Sequence, residues 1–193
     1  MTKSIVYQGN IITFPTWLGE KIYMQEFKQS SGLPENLKQR WQDAVDAMLG
    51  NIKTDKSIFL MVDEGIVKVD NLHRRGGIHV DGYWHPNLGN HGGHGGPYHL
   101  PKRGSHGGHR FVGHSSEILC LASNVLASRA FSGEYEGEPK SGGDCSHIDV
   151  RNMDIIPIEP NRVYYGDTGA LLHESIPVTS DCKRTVIRLN VQV

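Results

Sequence analysis

His79 and Asp81 stand two residues apart in GIHVDGYW (77–84), a run whose alternation and content of β-branched and aromatic residues indicate a β-strand. Residues two apart on a strand point to the same side, so the imidazole and the carboxylate can approach one ion together. Another histidine, His173, lies between apolar neighbours near the end of the sequence. Two histidines and one carboxylate form a ligand set that binds iron(II) and leaves positions open for dioxygen. The sequence therefore predicts a mononuclear iron(II) site.

Two arginines share one face of the strand predicted after His173. Arg184 comes eleven residues after His173, and Arg188 lies on the same side of the strand. The opposite, mostly apolar face consists of Thr185, Ile187, Leu189 and Val191. A planar guanidinium grips a carboxylate with two parallel hydrogen bonds. Arginines on an inward-facing side therefore predict the binding of carboxylates.

The His-x-Asp pair, the distal histidine and the arginine beyond it resemble the iron(II)/2-oxoglutarate-dependent dioxygenase superfamily over roughly residues 74–193. The resemblance implies a double-stranded β-helix, a jelly roll related to the cupins. It implies that the three metal ligands are catalytic, and that Arg184 binds the distal carboxylate of 2-oxoglutarate, whose other end chelates the iron. Oxidative decarboxylation of this co-substrate to succinate and carbon dioxide would then be coupled to hydroxylation of a substrate.

Three further residues are implied to lie near the substrate. Arg188, further along the strand than Arg184, would bind an anionic group of the substrate. One of Tyr83 and Trp84 would lie near the pocket, although both rings also suit ordinary core packing. Some branches of the superfamily have a serine two residues after the arginine, where this chain has Val186. The hydroxyl partner of the co-substrate is therefore left open.

A second His-x-Asp, formed by His147 and Asp149, competes for the role of the ligand pair. Only about two dozen residues separate it from His173, and a jelly roll needs several strands in that interval. A turn-like run, GGDCS (142–146), also precedes it. We therefore favour His79 and Asp81 as the pair.

A segment rich in histidine and glycine, residues 85–116, follows the first His-x-Asp. Glycine is too flexible for long regular structure, so we predict a loop insertion. Its histidines are His85, His91, His94, His99, His106, His109 and His114. Three roles remain open: an active-site lid that carries Lys102, Arg103 and Arg110 towards the pocket, a solvated insertion without chemistry, and a second metal site.

One amphipathic helix, from Pro34 to Leu49, is predicted before a series of short β-like runs, among them 57–62, 66–69 and 78–84. Its apolar stripe consists of Leu37, Trp41, Ala44, Val45, Met48 and Leu49. This pattern predicts a mainly β (α+β) fold, a β-sandwich or jelly roll with the helix on its outer face. The length suits a single domain, 1–193, in which 1–72 form the helix and supporting strands. Residues 73–193 would form the cupin-like double-stranded β-helix core, with one or more N-terminal helices as its support.

The net charge of −1 gives no sign of a polyanion-binding surface, so nucleic acid is not expected as a partner. No run is apolar enough for a signal peptide or a membrane span. The cysteines are widely spaced and form no CxxC pair, which favours a reducing compartment. We expect a soluble, cytoplasmic protein with a small-molecule or peptide substrate, and the sequence does not indicate its oligomeric state.

The leading hypothesis is an iron(II)- and 2-oxoglutarate-dependent oxygenase that hydroxylates a small molecule or a peptide side chain. The first alternative is a cupin-type enzyme that uses its metal without 2-oxoglutarate, although the usual cupin pattern of HxH and a later glutamate is absent from the sequence. The second alternative is a non-catalytic metal-binding β-sandwich module.

Overall fold

Antiparallel strands make up most of the regular structure in the computed structural model, which describes residues 1–81 and 117–193. The elements in these residues are β1 (Thr2–Ser4), β2 (Tyr7–Ile11), β3 (Lys21–Lys28), α1 (Glu35–Leu49), β4 (Ser57–Val67), β5 (Glu117–Ser123), β6 (Ser128–Tyr135), β7 (Asp154–Pro157), β8 (Arg162–Asp167), β9 (Leu172–Ser175) and β10 (Cys182–Gln192). The prediction of a mainly β fold with a helix is confirmed. The loop predicted for 85–116, with Tyr83 and Trp84, lies outside the described residues.

The strands form two antiparallel sheets. The larger sheet has the order β2-β8-β5-β10-β4-β3, and in the smaller sheet β6 pairs with β1, β7 and β9. His79 extends the smaller sheet, because it forms one bridge to His173 on β9 and another to Asp144. We call residues 77–81 the His79 segment. The structure describes residues 78–81 of the strand predicted over 78–84. These residues form a short bridged stretch that pairs with β9 on one side and with Asp144 on the other.

The helix α1 covers the outer face of the larger sheet. All six residues of its predicted apolar stripe are buried, and they pack against inward-facing residues of the sheet such as Ile58 and Leu189. The helix begins just after Pro34, which has extended backbone, and ends before Gly50, whose φ of 53° suits glycine. Within the described residues no helix is long and apolar enough to cross a membrane.

The strand β10 lies between β4 and β5 in the larger sheet, and its two faces differ as the sequence predicted. The face towards α1 carries Ile187, Leu189 and Val191. Arg184 and Arg188 are buried on the other face, which looks towards the smaller sheet. Arg184 contacts Ser128 on β6, and Arg188 contacts Asp81 in the His79 segment. Buried charged side chains are therefore concentrated between the two sheets, along one face of β10.

A buried carboxylate, Glu64 on β4, joins α1 and the segment before β3 to the larger sheet. Its Oε2 accepts hydrogen bonds from the backbone N–H groups of Leu18 and Glu20 at 2.9 and 2.8 Å. Its Oε1 accepts from the guanidinium of Arg40 on α1 at 3.1 Å and from the hydroxyl of Thr185 on β10 at 3.3 Å. The carboxylate is tolerated in the interior because both oxygens have donors.

The Glu64→Ala variant is expected to lose about 3 kcal/mol of the free energy of unfolding, because Arg40 and two backbone N–H groups lose a buried acceptor. Urea denaturation measures this loss. The matched control is Lys68→Ala, which breaks a salt bridge to Asp181 whose side chains are 68% and 54% exposed. That change should leave stability nearly unaltered. Equal losses in the two variants would contradict the role given to Glu64.

Candidate metal centre

His79 and His173 face each other across an antiparallel pair. The backbone N–H of His79 donates to the carbonyl oxygen of His173 at 2.9 Å, and the N–H of His173 donates back at 3.1 Å. Directly opposed residues of such a pair project to the same side of the sheet. The two ring centroids lie 4.4 Å apart. Strand pairing therefore brings together two imidazoles that are distant in the sequence.

A backbone carbonyl orients each imidazole and determines its tautomer. Nδ1 of His79 lies 2.7 Å from the carbonyl oxygen of Gly77, and Nδ1 of His173 lies 3.0 Å from that of Leu171. A carbonyl oxygen only accepts hydrogen bonds, so in a neutral ring each Nδ1 carries the proton and each Nε2 keeps its lone pair. Metal-binding histidines are commonly oriented by such a contact on the second nitrogen. Both Nε2 atoms are therefore suited to bind a metal.

Asp81 joins the two histidines from the end of the His79 segment. Its backbone N–H donates to the carbonyl oxygen of Thr168 at 3.2 Å, and its Oδ2 lies 3.5 Å from Nε2 of His173. His79, Asp81 and His173 are only 4%, 8% and 6% exposed, and one ligand atom from each lies within 4.8 Å of the others. The structure thus brings together the three predicted ligands. Two imidazoles and a carboxylate, shielded from water, can hold a divalent transition metal ion.

The rival pair does not take part in this cluster. His147 and Asp149 are both exposed, and the carboxylate of Asp149 accepts hydrogen bonds from its neighbour Arg151, the shortest at 2.6 Å. Only the buried Ile148 between them points into the core. Among the described residues, the cluster of His79, Asp81 and His173 is the one group of three ligating side chains close enough for a metal.

Arg188 contacts the metal cluster directly. Its Nη1 donates to Oδ2 of Asp81 at 2.7 Å, and its Nη2 donates to the thioether sulfur of Met24 at 3.3 Å. The side chains of Arg188 and Asp81 are each 6% exposed. The positive charge of Arg188 is therefore matched by a carboxylate of the protein, and its predicted role in binding an anionic substrate group stays a prediction.

Arg184 is fully buried and has hydroxyl groups, not a carboxylate, as neighbours. Its Nε donates to Oγ of Ser123 at 3.2 Å, and its Nη2 donates to Oγ of Ser128 at 2.8 Å. Among the described residues no carboxylate forms a salt bridge with it, and its Nη1 has no hydrogen-bond partner. Burial, helped by the positive charge of Arg74, lowers the pKa of Arg184 to about 10. The guanidinium is therefore still charged at neutral pH, and within residues 1–81 and 117–193 it forms no salt bridge.

Asp63 on β4 is the nearby carboxylate that could have served Arg184, but it is already occupied. The side chains of Arg74 and Lys21 donate hydrogen bonds to it, and Nε2 of His73 lies 3.4 Å from its Oδ1. Burial on its own would raise the pKa of Asp63, but the contacts with His73, Lys21 and Arg74 outweigh burial and hold the pKa well below its usual range. Asp63 therefore pairs with its own neighbours. It acts on Arg184 through the longer-range attraction of its charge, and among the described residues it forms no salt bridge with that guanidinium.

Unsatisfied polar atoms lie on the inward face of β10. Six buried side-chain nitrogen or oxygen atoms of the described residues have no hydrogen-bond partner, and three of them belong to this face. These three atoms are Nη1 of Arg184, Nε of Arg188 and Oδ1 of Asn190. Buried polar groups without partners are uncommon in folded proteins, and they often mark a place where a ligand or water binds. The same strand face that reaches the metal cluster thus offers free donors and an acceptor.

Comparisons with models of known protein families and with curated proteins found no match. The function must therefore be inferred from the chemistry of the site.

Some contacts at the site carry no signal in the sequence. The hydroxyl groups that accept hydrogen bonds from Arg184 belong to Ser123 and Ser128, which come from β5 and β6 and not from β10. The hydroxyl partner of the co-substrate itself stays open. Met24 reaches Arg188 from β3. Each contact joins residues far apart along the chain, so no local spacing could have indicated it.

Proposed function

We propose that the protein is an iron(II)- and 2-oxoglutarate-dependent oxygenase that hydroxylates a small molecule or a peptide side chain. Iron(II) would be held by His79, Asp81 and His173, since two histidines and one carboxylate with open positions are typical of non-haem iron(II) oxygenases. The distal carboxylate of 2-oxoglutarate would bind to Arg184.

The course of the chain supports a double-stranded β-helix, a jelly roll, as the fold. The chain passes from β4 to the His79 segment in the smaller sheet and returns to β5 in the larger one. It then forms β6 and β7 in the smaller sheet, β8 in the larger, β9 in the smaller and β10 in the larger. Repeated crossing between two facing antiparallel sheets is what the two Greek keys of a jelly roll require.

The observation that carries the proposal is the buried charge of Arg184, which forms no salt bridge within the described residues and whose Nη1 has no hydrogen-bond partner there. A buried guanidinium without a carboxylate is costly, so its retention is best explained by an anion that binds there. Arg184 and Arg188 share one strand face and are separated by about 13 Å along the strand. Arg188 contacts the ligand Asp81. In this proposal one end of 2-oxoglutarate would bind at the metal cluster and the other at Arg184.

The residues of the chain have separate tasks in this proposal. His79 and His173 present Nε2 lone pairs that their carbonyl contacts have already oriented. Asp81 adds one negative charge, and burial of the cluster keeps water out. The hydroxyl groups of Ser123 and Ser128 hold the guanidinium of Arg184 so that its Nη1 remains available for a carboxylate. Iron(II) and 2-oxoglutarate, when bound, would supply the means of activating dioxygen.

The test is anaerobic spectroscopy of the purified protein. Iron(II) and 2-oxoglutarate added together should produce the weak visible charge-transfer band of the chelate, and iron(II) alone should not. Exposure to air should then yield succinate even without substrate. If neither the band nor succinate is observed, the proposal is wrong.

Metal binding by the purified protein also distinguishes the two alternative functions, a cupin-type enzyme and a non-catalytic metal-binding module. A cupin-type enzyme would bind one metal ion per chain with no band from 2-oxoglutarate. A metal-storing module would bind several ions and keep most of them when His173 is replaced. Metal stoichiometry of the wild type and of His173→Ala distinguishes these outcomes.

A further inference from the structure

Arg188 and Asp81 form a buried ion pair at the edge of the metal cluster. Both side chains are almost fully buried, and a buried ion pair of this kind seldom stabilises a fold more than apolar residues of the same size. The oxygen of Asp81 that accepts from Arg188 at 2.7 Å is also the one that lies 3.5 Å from Nε2 of His173. An ionised carboxylate oxygen has more than one lone pair. Arg188 can therefore grip this oxygen while it still faces the other ligands.

The backbone of Arg188 is held rigidly by its place in the sheet. Arg188 lies in β10 opposite Met61 of β4 on one side and opposite Leu121 of β5 on the other. Its backbone cannot shift without breaking two ladders of hydrogen bonds. The guanidinium is thus presented from a fixed strand, which positions a site residue more precisely than a loop would.

A bulge in β3 brings Met24 against the same guanidinium. The register between β3 and β4 shifts between Ile22 and Gln25, and Met24 has a φ of 48°, in the left-handed region that residues other than glycine rarely adopt. Ile22 and Phe27 both pack towards α1 although they are five residues apart. The extra residue of the bulge explains this parity change, and Met24 is turned to the opposite side of the sheet, 3.3 Å from Arg188.

We propose that Arg188 is a positioning residue, braced by the Met24 thioether, that fixes the orientation of the Asp81 carboxylate for the metal. The inference rests on the proposed metal site but not on 2-oxoglutarate. Bulges and unusual backbone conformations cluster at functional sites because they aim a side chain that regular structure could not place. Here the bulge aims a sulfur at Arg188, and Arg188 orients Asp81.

Cobalt(II) binding to the full chain under anaerobic conditions tests the proposal, with affinity and the visible d–d absorption spectrum as readouts. Arg188→Met should weaken cobalt(II) binding by about 10- to 100-fold, the usual cost of losing a hydrogen-bond partner of a metal ligand. Arg188→Lys should recover part of the affinity and of the spectrum, because it keeps the charge and a donor. Met24→Leu should weaken binding about twofold to threefold, as expected for one weak hydrogen bond.

The matched control is Met61→Leu. Met61 belongs to the same apolar cluster as Met24, but its sulfur accepts from Arg74 at 3.6 Å and not from Arg188. Its replacement should leave cobalt(II) affinity and spectrum unchanged. If Arg188→Met fails to fold, as judged by near-ultraviolet circular dichroism, the comparison of Met24→Leu with Met61→Leu decides, and equal affinities overturn the proposal.

Other outcomes separate this inference from the proposed function. Unchanged or tighter cobalt(II) binding by a folded Arg188→Met overturns the inference; tighter binding would mean that Arg188 competes with the metal for Asp81. If such a variant also keeps the charge-transfer band, the proposed function stands without the inference. If Arg188→Met binds cobalt(II) more weakly than the wild type does, but the wild type never shows the charge-transfer band, the inference stands and the proposed function falls. A wild type that binds no cobalt(II) contradicts both.

Discussion

The His79→Ala variant is expected to bind iron(II) or cobalt(II) more than about 100-fold more weakly than the wild type. A residue that only hydrogen-bonds to a metal ligand is worth about 10- to 100-fold in affinity, and His79 itself supplies a ligand nitrogen in a buried cluster. The charge-transfer band with 2-oxoglutarate should vanish with the metal. Anaerobic metal titration followed by visible spectroscopy measures both effects.

The control for this variant is His147→Ala. His147 belongs to the rival His-x-Asp pair, but its side chain is exposed and lies outside the metal cluster. Its removal should leave metal affinity and the band unaltered. A loss of metal in His147→Ala equal to that in His79→Ala would mean that the ligand pair has been wrongly assigned.

Replacing Arg184 by methionine is expected to change stability and co-substrate binding in opposite directions. Loss of a charge-assisted grip on a carboxylate should weaken 2-oxoglutarate binding by about 3 kcal/mol, roughly 100-fold. The ligand-free protein should instead become more stable by about 1 kcal/mol, since a buried cation that forms no salt bridge in the described part of the chain is replaced by an apolar side chain of similar length. Such a trade between stability and activity is common where a site holds a buried charge.

Two measurements check this pair of effects. Thermal unfolding without ligand should give a higher melting temperature for Arg184→Met than for the wild type. Addition of iron(II) and 2-oxoglutarate should raise the melting temperature of the wild type and much less that of the variant. Metal affinity serves as the internal control and should not change, because Arg184 is not a ligand. A destabilised variant that still binds 2-oxoglutarate tightly would show that Arg184 is only structural.

Local periodicity predicted much of the architecture. The spacing of three and four residues in α1 identified its buried face, and alternation in β10 separated the apolar face from the arginine face. These predictions succeed because the repeat of a helix or a strand depends on backbone geometry within a few residues. The sequence pattern did not give the length of β4. It predicted two separate runs, 57–62 and 66–69, most of whose residues belong to the single strand β4 (Ser57–Val67). Strand length is set by pairing with neighbours, which a short window does not contain.

The sequence by itself determined which residue types could bind a metal and a carboxylate. His79 and Asp81 share a side because they are two residues apart, and the same rule placed Arg184 and Arg188 together. Only the tertiary structure decided that His173 lies opposite His79, that Arg188 is paired with Asp81, and that Arg184 has serine hydroxyls but no described carboxylate. These relations join strands that are distant along the chain. Their register follows from the packing of whole sheets, which no short stretch of sequence encodes.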